Sequence, residues 1–442
     1  MKANRYFVYC LAGILSGLFI PVTFATNGMN MIGLDAISAS MGGAESAVDT
    51  GVASLSSNPA NLSSIEKSEL IIDLGILSPA MNFKNSTYWG SNDIDSETQY
   101  FPLPFLGYAS RVKETPFVWG IGLFAQGGMG VDFRDVVTDF GTHDKIYSNV
   151  AYGKIVPAIS YDVSDALSLG VALQIGYSTM AYDFFPGTTY YSPGADQTPQ
   201  TADDIVFPGQ SMENAASFGY GARVGLNWHI DDMTAFGISY TTEAKLDYDE
   251  GDLTMNFGAL GLGKVRYNAE VDGFTWPASV DMGFSRKFLD ERFLLAADIT
   301  WYNWSDAIKT VTIKGSKPND VNAPPNVEIP FIFNWDDEWI FSLGAAYKIS
   351  EFDTLRLGYN YGNNPVPDDN MYPLFPAIVE HHAAIGYGHR FSDNLKIDVT
   401  WEHAFKATEM NMNSDPNHNP FGPESEVSHD QNTLHMMLTY SF

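Results

Sequence analysis

The sequence predicts an all-β protein, a 14-stranded antiparallel transmembrane β-barrel with an N-terminal plug inside it. Three observations carry that expectation. Strand-length stretches alternate large apolar residues with small or polar ones, the connections between them alternate strictly between short and long, and an export signal opens a chain that afterwards has no apolar run of about 18 residues.

The signal comes first in the chain. Lys2 and Arg5 precede an apolar run from Tyr6 to Ile20, followed by Pro21 and the small-residue site Thr23-Phe24-Ala25, so residues 1–25 read as a secretory signal peptide. The single cysteine, Cys10, falls inside it, which leaves the exported chain neither a disulfide nor a thiolate metal site. Removing Lys2 and Arg5 from the 24 basic residues leaves 22 against 53 acidic ones. A chain this negative repels phosphate backbones, so no nucleic-acid partner is expected. With 45% hydrophobic, 14% aromatic and only 17% charged residues, it must also bury or shelter apolar surface somewhere, which excludes disorder.

Alternation supplies the strands. Leu167, Leu169, Val171, Leu173, Ile175 and Tyr177 share one face, and Ser168, Gly170, Ala172, Gln174, Gly176 and Ser178 the other. The pattern returns at 355–362 and 395–402. A packed sandwich needs bulk on its inner face, whereas Gly, Ala, Ser and charge suit a lumen with lipid outside. Strand-like segments fall at about 68–83, 99–113, 116–130, 146–162, 166–183, 216–230 and 233–250. Further ones follow at about 269–288, 291–313, 335–349, 353–364, 380–392, 394–407 and 431–442, fourteen in all.

Tight turns centre on Lys113-Glu114-Thr115, Val163-Ser164-Asp165, Asp231-Asp232, Leu289-Asp290, Ser350-Glu351-Phe352 and Asp393. Long loops are expected at about 84–98, 131–145, 184–215, 251–268, 314–334, 365–379 and 408–430. Both termini then lie on the short-turn side, the outer-membrane arrangement of a Gram-negative cell with periplasmic turns and extracellular loops. The last strand agrees, placing Leu434, Met436, Leu438, Tyr440 and the terminal Phe442 on one face.

Residues 26–66 form no strand pattern and contain Gly42-Gly43, Asp49-Thr50-Gly51 and Asn58-Pro59-Ala60. Pro59 fixes its own φ and biases Asn58 toward extended backbone. Downstream come Phe101-Pro102-Leu103-Pro104, Gly120-Ile121-Gly122 with Gly127, Gly128 and Gly130, Trp276-Pro277-Ala278, Trp301-Tyr302-Asn303-Trp304 and Asn364-Pro365-Val366-Pro367. In their order and spacing these strings resemble the FadL/TodX family of outer-membrane hydrophobic-compound transporters over nearly the whole exported chain. The resemblance implies a plug at 26–66 and a barrel at 67–442. It also implies passive transport in which ligand is captured among extracellular loops, passes a pocket near the plug and leaves sideways through the barrel wall. Lateral exit spares a hydrophobic ligand the loss of roughly 0.8 kcal/mol per CH₂ that release into water entails.

On that reading Gly42, Gly43, Asn58, Pro59 and Ala60 form a plug motif, with an ordinary Asn-Pro turn as the plainer alternative. Gly127, Gly128 and Gly130 stand where the family opens its wall, and also read as a glycine-rich entry to a loop. Phe184, Phe185, Tyr190, Tyr191, Phe207, Phe257, Leu260 and Leu262 lie in predicted loops and make a candidate capture groove or pack on one another. Strand parity turns Lys154 and Arg223 into the lumen, to pair with a ligand carboxylate or with an acidic neighbour.

Long-chain fatty acids are the leading expectation for the substrate. The end of the fifth strand, Met180 to Phe184, lacks a basic residue, which leaves neutral aromatic or aliphatic hydrocarbons as the alternative. A surface adhesin or general porin is the reading from another class. No catalytic residues are expected, since no Gly-x-Ser-x-Gly motif occurs and none of the nine His has a Ser partner by spacing. The acidic stretch Asp93-x-Asp95-x-Glu97 reads as solvated surface, and no metal or cofactor is expected. The expected partners are hydrophobic small molecules, outer-membrane lipid and lipopolysaccharide, and the barrel-assembly machinery, with the chain itself a monomer.

Overall fold

The computed structural model describes residues 27–442 apart from 195–196, 198–203 and 417, so the expected signal peptide lies outside the described residues. Fourteen strands cross the membrane region: β1 Glu69–Thr87, β2 Phe101–Arg111, β3 Phe117–Val137, β4 His143–Ser164, β5 Leu167–Ser192, β6 Ile205–Asp231 and β7 Thr234–Thr241. The second half comprises β8 Ser279–Phe288, β9 Phe293–Tyr302, β10 Glu338–Lys348, β11 Asp353–Gly362, β12 His381–Arg390, β13 Leu395–Asn411 and β14 Ser425–Ser441. Each pairs antiparallel with its chain neighbours, and β14 returns to β1 from Glu69↔Ser441 to Lys84↔Glu426, which closes the ring. Closure satisfies main-chain groups that lipid cannot, which is why strands may span at all.

Side chains sort as the alternation predicts. Along β5, Leu169, Val171 and Leu173 are exposed to the surroundings while Ser168, Ala172 and Gln174 are buried. At the periplasmic rim the C-terminal Phe442 packs on Tyr440 (5.7 Å between ring centroids) and Tyr108 on Trp119 (5.4 Å), an aromatic girdle at the interface.

The predicted long loops are shorter than the sequence suggested, because strand pairing continues above the membrane. β5 and β6 stay paired to Ser192↔Ile205, so most of 184–215 is a tall hairpin. The predicted loop 251–268 is likewise the paired segments Glu250–Phe257 and Gly263–Asp272, and Thr310–Ser316 pairs with Asn326–Ile332 in the next hairpin. These are the upper segments of β7 to β10. Between lower and upper segments each of these four strands is interrupted at one level, within 242–249, 273–278, 303–309 and 333–337.

Residues 27–66 fill the lumen. A short helix, α1 (Ala36–Ser40), is capped by Asp35, whose carboxylate accepts from the Ile37 and Ser38 N–H groups at 2.8 and 3.1 Å. Two 3₁₀ turns follow, Gly51–Leu55 and Pro59–Ser64. The wall grips this body through polar side chains. Asp298 of β9 accepts the Glu45 and Ser46 N–H groups at 2.9 and 2.8 Å, Asp73 of β1 accepts from Ala36 at 3.2 Å, and Glu69 from Val52 at 3.0 Å. Arg111 donates to the Ile65 carbonyl at 2.9 Å and to that of Ser63. A buried N–H that loses its acceptor costs about 1–3 kcal/mol. Asp298→Ala is therefore expected to loosen the plug inside an intact barrel. The measurement is ion conductance in planar bilayers, expected to rise while the heat-modifiable mobility of the folded barrel is unchanged.

Candidate functional site

The plug motif builds the floor of the site. Asn58 bonds in both directions: its Oδ1 accepts from the Ala60 N–H at 3.1 Å, and its Nδ2 donates to the Ser46 and Leu226 carbonyls at 2.9 and 3.0 Å. Pro59 opens the 3₁₀ turn where its missing N–H is not needed. Gly42 sits at φ 65°, just past α1, and a Cβ there would lie 2.7 Å from the Tyr359 main chain, so the plug touches β11 with bare backbone. Gly43 is also left-handed, at φ 82°.

Among the described residues neither lumen cation pairs with an acidic neighbour, which was one of the two expectations. Arg223 donates to Thr241 Oγ1 at 2.6 Å and to the Ser56 and Ser57 carbonyls, so it clamps the plug. Lys154 is buried, donates to Gln174 Oε1 at 2.9 Å and lies 5.2 Å from the centre of the Tyr152 ring. Three wall carboxylates, Asp298, Asp73 and Glu69, accept plug N–H groups instead.

The three glycines mark a discontinuity in the wall. β2 pairs with β1 as far as Phe101↔Leu77, but its ladder to β3 stops at Phe105↔Phe124. Pro102 and Pro104 explain the difference. The β1 ladder draws its donors from 101, 103 and 105, so the alternate residues face β3, and two of those have no N–H. Among the described residues the ladder joins none of 101–104 to β3. Above this window the wall closes again, with the Glu97 N–H on the Asp132 carbonyl at 2.9 Å.

β3 bulges between Ala125 and Gly127. The bulge bonds inward to the head of the plug: Gly128 N–H donates to the Met29 carbonyl at 3.0 Å, and Asn30 forms a bridge with Gly127. A Cβ on Gly127 would strike that same Met29 carbonyl. Gly130 lies in equally tight quarters, against the Ser148 carbonyl of β4. Asn30 is held further by Gln126 at 3.0 Å and by the Trp276 indole at 2.9 Å.

Directly above Met29 is an apolar cavity of about 30 Å³. Met29, Met180, Tyr182, Phe274, Phe331 and Trp335 are among its twelve lining residues, none of them charged. Benzene occupies an apolar cavity of about 150 Å³, so a ligand of that size enters only if rings and methionines move aside. From above it is roofed by 371–379, a loop segment that turns into the barrel and presents Leu374 and Phe375. Barrel side chains hold the main chain of this roof: Ser148 donates to the Leu374 carbonyl, Asn411 to that of Met371 at 3.0 Å, and His429 meets that of Pro376 at 3.2 Å. Burial pushes the Tyr372 phenol up to about 12, so it stays neutral against Phe333.

The predicted groove residues divide. Phe184 and Phe185 are buried and pack with Phe207 (6.0 and 6.2 Å), while Tyr190 stacks on Phe140 at 4.9 Å. Tyr191 is partly buried on the same hairpin, its hydroxyl donating to Asp204 at 2.9 Å. Phe257 is buried, Leu262 partly so, and Leu260 is exposed on the turn between them. Loop-on-loop packing thus accounts for most of the set. Sequence reasoning missed Phe421, which inserts between Phe83 (5.2 Å) and Phe184 (5.5 Å), although a lone Phe between Pro420 and Gly422 in a polar loop is its signal. It also missed the roof, whose sign is the apolar run Met371 to Val379 inside a predicted loop.

A closed barrel, a lumenal plug, an apolar chamber and a break in the wall define a channel for hydrophobic compounds in a Gram-negative outer membrane, not an enzyme. Residues 23–442 match the family model described as outer membrane protein transport protein (OMPP1/FadL/TodX), and the chain belongs to that family. It is 21% identical over 388 residues to the long-chain fatty acid transport protein of Shigella flexneri, covering 80% of this chain and 82% of the relative, with the same figures for that of Escherichia coli K12. Among solved structures it is similar to the Pseudomonas putida toluene transporter TodX, at TM-score 0.74 and 20% identity over 93% of this chain and 99% of the other. A FadL homologue of Pseudomonas aeruginosa gives TM-score 0.75 at 16% identity, over 94% and 100%. At these identities the structural likeness establishes the fold.

Gly127→Leu is expected to push the Met29 segment off β3 and cut uptake of hydrophobic ligand at least about tenfold, the strain of a displaced main chain exceeding about 1.4 kcal/mol. The check is uptake by cells carrying the variant, with surface labelling to show that the barrel is present.

Proposed function

We propose that this chain is a passive uptake channel for small neutral hydrophobic compounds, monoaromatic or aliphatic hydrocarbons, which it releases sideways through the window between β2 and β3. One observation carries the reading: the chamber lining contains no charged side chain. An unpaired carboxylate in such a place is costly, whereas a hydrocarbon gains roughly 0.8 kcal/mol for each CH₂ it buries. Phe101 and Leu103 are buried beside the window and belong to the same apolar cluster as Met29 and Met129, which links the chamber to the wall. The barrel acts as a monomer in lipopolysaccharide-rich membrane, placed there by the barrel-assembly machinery.

The long-chain fatty acid reading keeps one specific support in Lys154, a buried lumen cation bonded to an amide. The relatives named as long-chain fatty acid transport proteins and those named as toluene transporters are about equally distant.

Uptake of labelled toluene and labelled oleate in cells lacking their own transporter separates the two. Toluene entering faster with the protein than without it, and oleate unchanged, is the expected result. Oleate alone would overturn it, and Lys154→Met would then be expected to abolish the gain. Acceleration of neither ligand by a folded, surface-exposed barrel would remove the transport reading for both and leave an adhesin.

A further inference from the structure

Below the plug, on the side of the short turns, the barrel holds a second cavity, of about 690 Å³. It shares no lining residue with the apolar chamber, and its volume is within the range of about 300–1,000 Å³ usual for small-molecule sites. Exposed turn residues, Glu291, Arg292 and Asp393, stand at its rim. Part of its wall is apolar. Ile37 and Met41 of the plug meet Leu294 of β9 and Ala346 of β10 there, and the last three belong to one hydrophobic cluster.

The same wall carries a basic arc. Lys287 of β8, Arg292 just before β9, Lys348 of β10, Arg356 of β11 and Lys396 of β13 all line the cavity, in a chain whose acidic residues outnumber its basic ones 53 to 24. The carboxylates that line or back this arc are fewer and are engaged. Asp398 receives both Arg356 at 2.8 Å and Lys396 at 3.0 Å, Glu291 lies 3.9 Å from Lys287, and Asp393 lies 3.6 Å from Arg390. Among the described residues neither Lys348 nor Arg292 has a carboxylate partner. Arg292 donates to the Lys348 and Ile349 carbonyls at 3.3 and 3.4 Å and rests on the Tyr347 ring, which leaves its charge unbalanced. The remaining acids, Asp49, Glu66 and Glu69, come from the plug and β1, together with Lys67. Glu69 accepts from the Val52 N–H at 3.0 Å and the Ser441 hydroxyl at 3.5 Å, Asp49 lies 3.9 Å from His229, and Glu66 is exposed.

We propose that this cavity is a second binding site, facing the periplasm, for a single-chain amphiphile with an anionic head, a phosphate monoester or a carboxylate. The head sits on Lys348 and Arg292, and the alkyl chain lies on Ile37, Met41, Leu294 and Ala346. Neither half of such a ligand suffices alone, because an inorganic anion leaves the apolar wall in water and an alkanol leaves both cations unbalanced. The site is separate from the chamber, and its assignment does not depend on what the chamber takes.

The test uses purified full-length barrel in micelles of a neutral detergent, dialysed to equilibrium against labelled octyl phosphate, octanoate, octanol or inorganic phosphate, with protein-free micelles as background. Octyl phosphate, octanoate or both are expected to bind at least about fivefold more tightly than octanol and than inorganic phosphate. Octyl phosphate alone assigns the head to a phosphate, octanoate alone to a carboxylate, and both together to any compact anion. Arg292→Gln combined with Lys348→Gln is expected to weaken the anionic amphiphile at least about fivefold and to leave octanol within about twofold. Octanol binding as tightly as the anionic amphiphiles overturns the proposal, and so does inorganic phosphate matching octyl phosphate, which means an ion site only. An affinity that survives in the double variant places the ligand elsewhere and overturns it too, as does binding of neither anionic amphiphile. Should the double variant fail to fold, judged by heat-modifiable mobility, Lys348→Gln alone takes its place, with a loss of about threefold expected and an unchanged affinity overturning the proposal.

Discussion

In lipid every main-chain N–H and C=O must find its partner inside the protein, and the rest of this structure follows from how that demand is met. Thirteen neighbouring pairs and the return of β14 to β1 meet it around the whole ring. The stretch where β2 and β3 part is built so that it leaves few orphans. Pro102 and Pro104 bring no donor to the edge of β2, and the bulged edge of β3 turns its Gly128 N–H inward to the Met29 carbonyl. The window and the head of the plug are therefore one device, since the plug supplies hydrogen bonding that a neighbouring strand would otherwise provide.

The plug divides along the same line. From Ala36 to Ile65 it is held by carboxylates on its N–H groups and by guanidiniums on its carbonyls, with contributions from β1, β2, β6 and β9. Its head, 27–34, is held by a few bonds around Asn30 and by contact with Trp304 and Trp276. Of the plug, the head alone lines the chamber, through Met29, among the described residues. Methionine is suited to that place because an unbranched thioether yields to varied shapes at small cost.

Much of the fold was legible in the chain. Period-two alternation with Gly, Ala and Ser on one face separates lumen from lipid at Ser168–Ser178 and at 355–362, and the turn spacing fixes the ring. What misled was height. Strands do not stop at the membrane surface, so residues such as Phe184, Tyr190 and Phe257, apolar and outside the spanning region, read as loop when they belong to paired hairpins. The parity of Arg223 and Lys154 was likewise readable, but their partners were not, because plug carbonyls come from 166 residues away in sequence for Arg223.

The sequence by itself determined the class of fold, through a period-two alternation and a turn spacing that are local properties of the chain. Only the tertiary structure decided what the chamber is made of. Its walls come from the plug head, β5, the interrupted strands β8 to β10 and the roof at 371–379, segments brought together by ring closure. Which residues meet there is decided by all of those segments together, and no local pattern encodes it.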